Sequence, residues 1–206
     1  MSGKEKNKNM KKLLLLPLLG SLLLVSCNES SNNSDESSNN VSINGQAMVV
    51  YYSATNHTKR VAEEISSHLN VPIHELKPVS PYSSSDLNYS DSQSRVSKEH
   101  QKIQQGEKIN VELETTIFEE FATADYIFLG APVWWGQLSW VIESFVANND
   151  FQGKTIIPFG TSASSSYNLN NLTSLTKTAI WLGDKRFSSN PASSEITNWV
   201  DGLSID

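Results

Sequence analysis

The sequence predicts a doubly wound α/β domain, in which helices cover both faces of a five-stranded parallel sheet. Short, nearly continuous apolar segments are typical of strands that are buried on both faces. Segments with helical periodicity alternate with these strands, and this alternation is typical of a three-layer α/β/α arrangement. The chain has 206 residues, of which residues 46–206 are long enough to enclose one hydrophobic core.

The elements are predicted in order from residue 46. The first strand covers residues 47–52, and the first helix begins near Thr58, whose hydroxyl suits an N-cap. Further strands are expected at residues 71–76, 125–130 and 154–160 and within 179–187. Further helices are expected around residues 95–105, 116–121, 138–147, 168–176 and 194–203, and residues 77–112 form a long polar excursion.

Residues 1–26 have the pattern of a secretory signal peptide. A basic segment with five lysines precedes an apolar run over residues 13–25. This run is shorter than the roughly 20 residues that a membrane-spanning helix needs. It ends in Leu24-Val25-Ser26-Cys27, which resembles the lipobox of bacterial lipoproteins. The resemblance implies that Cys27 carries a lipid and that cleavage occurs before it; an ordinary cleaved signal and a buried core helix are the alternatives.

Residues 27–45 are rich in Asn and Ser and hold almost no apolar side chains, which predicts a disordered tether. The domain is therefore expected outside the cytoplasm, held to a bacterial membrane by its lipid. Cys27 is the only cysteine in the chain. A disulfide framework and a cysteine zinc cluster within one chain are thereby excluded.

The charge of the chain is unevenly distributed. The net charge is −6, but residues 27–206 contain 11 basic and 21 acidic residues, a net charge of −10. Such an acidic body is unsuited to nucleic acids, and it suits cationic redox partner proteins or simply solubility. No metal site is expected, because the histidines lie at no recognised ligand spacing; they are His57, His68, His74 and His100.

Ligands of doubly wound sheets bind at the carboxyl ends of the strands, so the loops after the first, third and fourth predicted strands are candidate site loops. The first is Ser53-Ala54-Thr55-Asn56-His57-Thr58. It combines hydroxyl groups with the free N–H groups of a helix start, which together favour an anion. The alternative is a plain N-cap loop.

The other two loops suit a flat ligand. In the loop at residues 130–138, Trp134 and Trp135 are adjacent, so one ring could cover a planar ligand while the other packs inward. The alternative is that both rings belong to the core or face a partner. The loop at residues 160–167 is small and polar, and its backbone N–H groups could approach a ring edge. Tyr167 is a candidate to stack on the other face of such a ring.

All three loops resemble segments of the flavodoxin family. The first resembles the phosphate loop Ser/Thr-x-Thr-Gly-Asn-Thr, with departures at Asn56 and His57. The second resembles Pro-x-Trp-Trp-Gly, and the third resembles Thr-Ser-Gly-Ser-Ser with Ala163 in place of Gly. Residues 46–205 resemble a flavodoxin-like domain throughout.

The resemblance implies non-covalent binding of FMN and a set of binding residues. Around the phosphate these are Ser53, Thr55, Asn56, His57 and Thr58. Those that cover the isoalloxazine ring are Pro132, Val133, Trp134, Trp135 and Gly136, and those at its pyrimidine edge are Thr161, Ser162, Ala163 and Ser164.

The function expected from this resemblance is electron transfer through FMN. No catalytic acid, base or nucleophile is needed, because the chemistry belongs to the flavin. An FMN-dependent NAD(P)H–quinone or nitro reductase on the same fold is one alternative, and a flavin-free surface binding protein is another. The chain has no Gly-x-Gly-x-x-Gly fingerprint for a tightly held dinucleotide, which favours the carrier.

Overall fold

The computed structural model describes residues 45–163 and 166–205. The predicted signal peptide, Cys27, the tether up to residue 44 and Ser164 lie outside the described residues. Within the described ranges, every helix is too short or too polar to cross a membrane.

The sheet confirms the predicted parallel α/β architecture. Its longer strands are β1 (Ala47–Tyr51), β2 (Ile73–Glu75), β3 (Tyr126–Trp134) and β5 (Thr155–Thr161). A short β4 (Gln137–Leu138) pairs antiparallel with β3, and the edge is formed by β6 (Ile180–Trp181) and β7 (Lys185–Phe187). The parallel order is β2-β1-β3-β5 followed by β6 and β7. The order reverses between β1 and β3, and ligands of such sheets bind at that point.

Helices lie on both sides of the sheet, as a doubly wound fold requires. They are α1 (His57–Leu69), α2 (Arg95–Gln104), α3 (Val141–Ala147), α4 (Asn170–Leu175) and α5 (Ser193–Asp201). Buried side chains of α1 and α5 share one hydrophobic cluster, and those of α2, α3 and α4 share the other. Residues of β1 alternate between the two clusters and are all buried, which explains why this strand is apolar throughout.

The predicted third strand is longer than expected and continues into the Trp-Trp segment. A two-residue turn at Trp135 and Gly136 folds the chain back, so that Trp134 pairs with Gln137. Both turn residues have positive φ, 46° and 76°, as a tight β-hairpin turn requires. Because Leu138 belongs to this hairpin, α3 begins at Val141 and not at residue 138 as predicted.

Two other predicted elements are shorter in the structure. The second strand covers Ile73–Glu75 and not residues 71–76. The helix expected at residues 116–121 is a single 3-10 turn at Glu119–Ala122.

The strand predicted within residues 179–187 is split into β6 and β7, and the break lies opposite Pro158 of β5. The carbonyl groups of Lys154 and Ile156 accept hydrogen bonds from the N–H groups of Ile180 and Leu182 at 2.9 and 3.0 Å. Pro158, two residues further along the same edge, has no N–H to continue this ladder. The edge strand is accordingly interrupted between β6 and β7.

Tyr167 covers the gap left by this interruption. Its hydroxyl lies 3.3 Å from the carbonyl oxygen of Lys185 and 3.5 Å from that of Pro158. Its ring lies so close to Gly160 that a Cβ there would come within 2.7 Å of it. Tyr167 therefore packs against the sheet, and its prediction as a flavin-stacking residue is wrong.

Gly130 allows an aromatic ring to pack onto the centre of the sheet. It pairs with Phe159 across β3 and β5. A Cβ at position 130 would lie 2.1 Å from Phe159 Cζ, and Phe159 is fully buried. The ring therefore occupies the volume that any larger residue at 130 would need.

We predict that Gly130→Ala lowers the free energy of unfolding by about 1–3 kcal/mol, because the core is overpacked. Urea unfolding measures this change. Phe159→Leu should relieve the clash, so the double variant should lose less than the sum of the two single variants. Purely additive losses would contradict the predicted contact.

Candidate functional site

A cleft of about 230 Å³ lies where the carboxyl ends of β1, β3 and β5 meet. Residues from all three predicted loops reach it. They are Thr55 and His57 from the first loop, Pro132 and Val133 from the second, and Thr161, Ser162 and Ala163 from the third. Tyr89 and Ser189 also line the cleft, and neither residue was predicted from the sequence to belong to the site.

The start of α1 borders this cleft without a side-chain cap. Asn56 is the N-cap residue, in the left-handed region at φ 64°, and its side chain makes no capping hydrogen bond. The first intrahelical bond runs from the Arg60 N–H to the Asn56 carbonyl oxygen at 3.1 Å. The N–H groups that precede Arg60 in the first turn are therefore outside the helical ladder. Such donors, together with the helix dipole, favour an anion.

Thr58 is not the N-cap that the sequence analysis predicted. Its side chain is 1% exposed, and its hydroxyl lies 2.7 Å from the hydroxyl of Thr161. This buried bond joins the first loop to the third across the end of β3. The Thr58 hydroxyl therefore holds two walls of the cleft together.

Ser53 has a buried hydroxyl for which the described residues provide no hydrogen-bond partner. It lines a second cavity of about 300 Å³, beside Tyr52, Glu75 and Tyr82. A buried polar group without a partner is costly, by about 1–3 kcal/mol. Ser53, which was predicted to bind the phosphate, therefore lines a different cavity from the first-loop residues Thr55 and His57.

The two adjacent tryptophans point in different directions. Trp134 is 1% exposed and makes edge contacts with Tyr52, Tyr82 and Trp140, with ring centroids 4.8–5.9 Å apart. It belongs to the core, so its prediction as a cover for a ligand ring is wrong. Trp135 is 40% exposed at the tip of the hairpin. Trp135 and Gly136 lie beside the cleft residues Pro132 and Val133 in sequence but do not themselves line the cleft.

Trp135 is surrounded by aromatic residues from the long excursion. The ring of His100 stacks on it at 4.2 Å and 12°, and the ring of Tyr89 lies 4.9 Å away. Burial lowers the pKa of His100 and raises that of Tyr89 to about 12, so both side chains are neutral near pH 7. Tyr89, which is 51% exposed, touches both Trp135 and the cleft.

A hydrogen-bond network around Glu99 fixes the excursion in this position. Its carboxylate accepts bonds from the Tyr82 hydroxyl at 2.6 Å, from Trp140 Nε1 at 2.8 Å and from Arg95 Nε at 2.8 Å. Burial, followed by the bond to Glu99, raises the pKa of Tyr82. Because His100 follows Glu99 on α2, this network also sets the position of the His100 ring on Trp135.

Two arginines hold the loops on the other side of the cleft. Arg186 Nη1 donates to the Ser162 carbonyl oxygen at 3.0 Å, and Arg60 Nη2 donates to the Pro191 carbonyl oxygen at 2.8 Å. The Ser162 N–H donates to the Phe187 carbonyl oxygen at 3.0 Å. This N–H is therefore used inside the sheet, contrary to the expectation that the third loop directs its N–H groups at a ligand.

Comparisons with known proteins agree with this geometry. The family model described as flavodoxin matches residues 46–203. A provisionally assigned flavoprotein from Bacteroides uniformis is 30% identical, with a TM-score of 0.66, and the match covers 76% of this chain and 97% of that one. One from Bacteroides eggerthii is 27% identical, with a TM-score of 0.67, and covers 79% of this chain and 100% of that one.

A more distant structure was determined with a cofactor. It is a Lactobacillus acidophilus flavoprotein in complex with FMN, 21% identical with a TM-score of 0.55, covering 76% of this chain and 99% of that one. A search of curated proteins found no match. The match to the family model spans most of the chain, and the chain belongs to the flavodoxin family.

The two tryptophans should differ sharply in their effect on stability. We expect Trp134→Ala to lower the free energy of unfolding by about 3–5 kcal/mol, because it leaves a large cavity in the core. Trp135→Asn removes exposed stacking but places before Gly136 a residue that tolerates positive φ, so the change should stay within about 1 kcal/mol. Equal losses in urea unfolding would contradict the opposite orientations of the two rings.

Proposed function

We propose that the protein binds FMN at the cleft and transfers electrons through it. The observation that carries this proposal is the uncapped start of α1 beside a cleft at the carboxyl ends of three parallel strands. FMN as the cofactor is further supported by the membership of the chain in the flavodoxin family and by the related flavoprotein that was crystallised with FMN.

The residues of the cleft suit the two ends of FMN. The first turn of α1, with Thr55 and His57, would hold the phosphate, because it offers N–H donors and no carboxylate. Pro132, Val133 and Tyr89 would contact the ring system, because their side chains line the same cleft. Bound there, the flavin supplies the capacity to accept and release electrons.

Transfer to a partner protein is favoured over direct oxidation of a dinucleotide. The chain has no Gly-x-Gly-x-x-Gly fingerprint for a tightly held dinucleotide. The acidic body, at a net charge of −10 for residues 27–206, would steer a cationic partner toward it. A carrier needs only a bound flavin close to the surface, and the open cleft provides that position.

We predict that the full chain, purified in detergent, shows a flavin absorption band in the blue and releases FMN on denaturation. After anaerobic addition of NADPH alone, the band should bleach only slowly, because no partner reductase is present. Rapid bleaching would favour the reductase alternative. A colourless protein that takes up no FMN even at millimolar concentration would contradict the proposed cofactor.

We further propose that a lipid on Cys27 holds the domain to the outside of a bacterial membrane. This proposal rests on the basic segment, the short apolar run and the Leu24-Val25-Ser26-Cys27 sequence, because two or three acyl chains hold a protein stably to a membrane.

In a bacterial host, the unaltered chain should incorporate labelled palmitate and sediment with membranes. Cys27→Ser should abolish the incorporation, because serine lacks the thiol that accepts the lipid. Unchanged labelling of Cys27→Ser would contradict the proposed modification. Ser26→Ala, which keeps a small residue before the cysteine, is the matched control and should remain labelled.

A further inference from the structure

The charge that lines the cleft differs from that of the domain around it. Residues 27–206 have a net charge of −10. Among the described residues that line the cleft, however, none is acidic. The cleft therefore interrupts an otherwise acidic protein.

Arg186 does not line the cleft itself, but its positive charge is bonded to a residue that does. Its guanidinium donates from Nη1 to the carbonyl oxygen of Ser162, and Ser162 lines the cleft. The residue itself is exposed, on the edge strand β7 next to the end of β5. The described residues place no carboxylate within ion-pair distance of it, so its charge is not neutralised by a salt bridge.

Lys185 precedes Arg186 on the same strand, but its side chain lies on the other face of the sheet. Successive side chains of a strand point to opposite faces. Lys185 Nζ lies 3.7 Å from Glu195 Oε1, on α5. Its charge is therefore partly compensated and directed away from Ser162, which makes Lys185 a matched control for Arg186.

We infer that Arg186 makes this site bind reduced FMN more tightly than it would otherwise, and so raises the reduction potential of the bound flavin. This inference rests on the proposed binding of FMN. Two electrons and one proton convert the neutral oxidised ring into a reduced ring with one negative charge. A positive charge near the ring stabilises the reduced, anionic ring more than the neutral oxidised ring, and the difference between the two affinities fixes the shift in potential.

The expected effect of Arg186 is moderate because the residue is exposed. Charges near a protein surface interact weakly and are screened by salt. In Arg186→Met we expect the affinity for reduced FMN to fall about threefold to tenfold, and the affinity for oxidised FMN to change less than twofold. For a two-electron couple this corresponds to a midpoint potential that is lower by about 14–30 mV.

The test is a redox titration of the full chain, with dithionite as reductant, combined with titration of oxidised FMN into the apoprotein. Arg186→Lys keeps the charge, so its potential should fall by less than half as much as that of Arg186→Met. Lys185→Met should leave the potential unchanged. Raising the salt concentration should narrow the difference in potential between the unaltered chain and Arg186→Met, because salt screens the Arg186 charge while all other charges are common to both proteins.

Three results would overturn the inference. Equal weakening of both redox forms in Arg186→Met would show that the residue only positions the Ser162 loop. An equal loss of potential in Lys185→Met would show that net charge alone matters. A difference in potential between the unaltered chain and Arg186→Met that does not narrow in salt would refute the inference alone, whereas failure to bind FMN at all would refute the proposed function as well.

Discussion

The arrangement of the site depends on how β1 ends and α1 begins. Asn56 adopts a left-handed conformation, and α1 starts at the next residue with no capping hydrogen bond from the Asn56 side chain. The strand is buried on both faces and the helix packs against the same sheet, so this turn has little freedom to move. A set of backbone donors is thereby held at the point where the strand order reverses, where anions bind without any lysine.

The remaining walls of the cleft are tied to this turn by hydrogen bonds between side chains. The hydroxyl groups of Thr58 and Thr161 bond to each other at 2.7 Å in a buried position, which links the first loop to the third. Glu99 accepts three hydrogen bonds and fixes the excursion that carries Tyr89 and His100. These residues prearrange the site, because each joins segments that are distant in sequence.

The sequence predicted the parallel fold and three loops whose residues meet at one cleft, and it placed the N-cap of the first helix two residues too late, because apolar strands and helical spacing are local patterns. It could not predict that the hairpin turn at Trp135 would send Trp134 into the core, since strand continuation past Gly130 depends on pairing with Gln137. Tyr89 was missed because the fold of the excursion is set by long-range bonds to Glu99. Pro158 was the local signal for the split edge strand. The split could not be predicted from it, because the sequence does not show which strand pairs with β5 at Pro158.

The binding of a phosphate by the start of α1 is tested most directly by comparing the affinities of FMN and riboflavin for the unaltered apoprotein. We expect FMN to bind at least about 100-fold more tightly, equal to about 2.7 kcal/mol. Equal affinities for FMN and riboflavin would contradict an anion site at this helix.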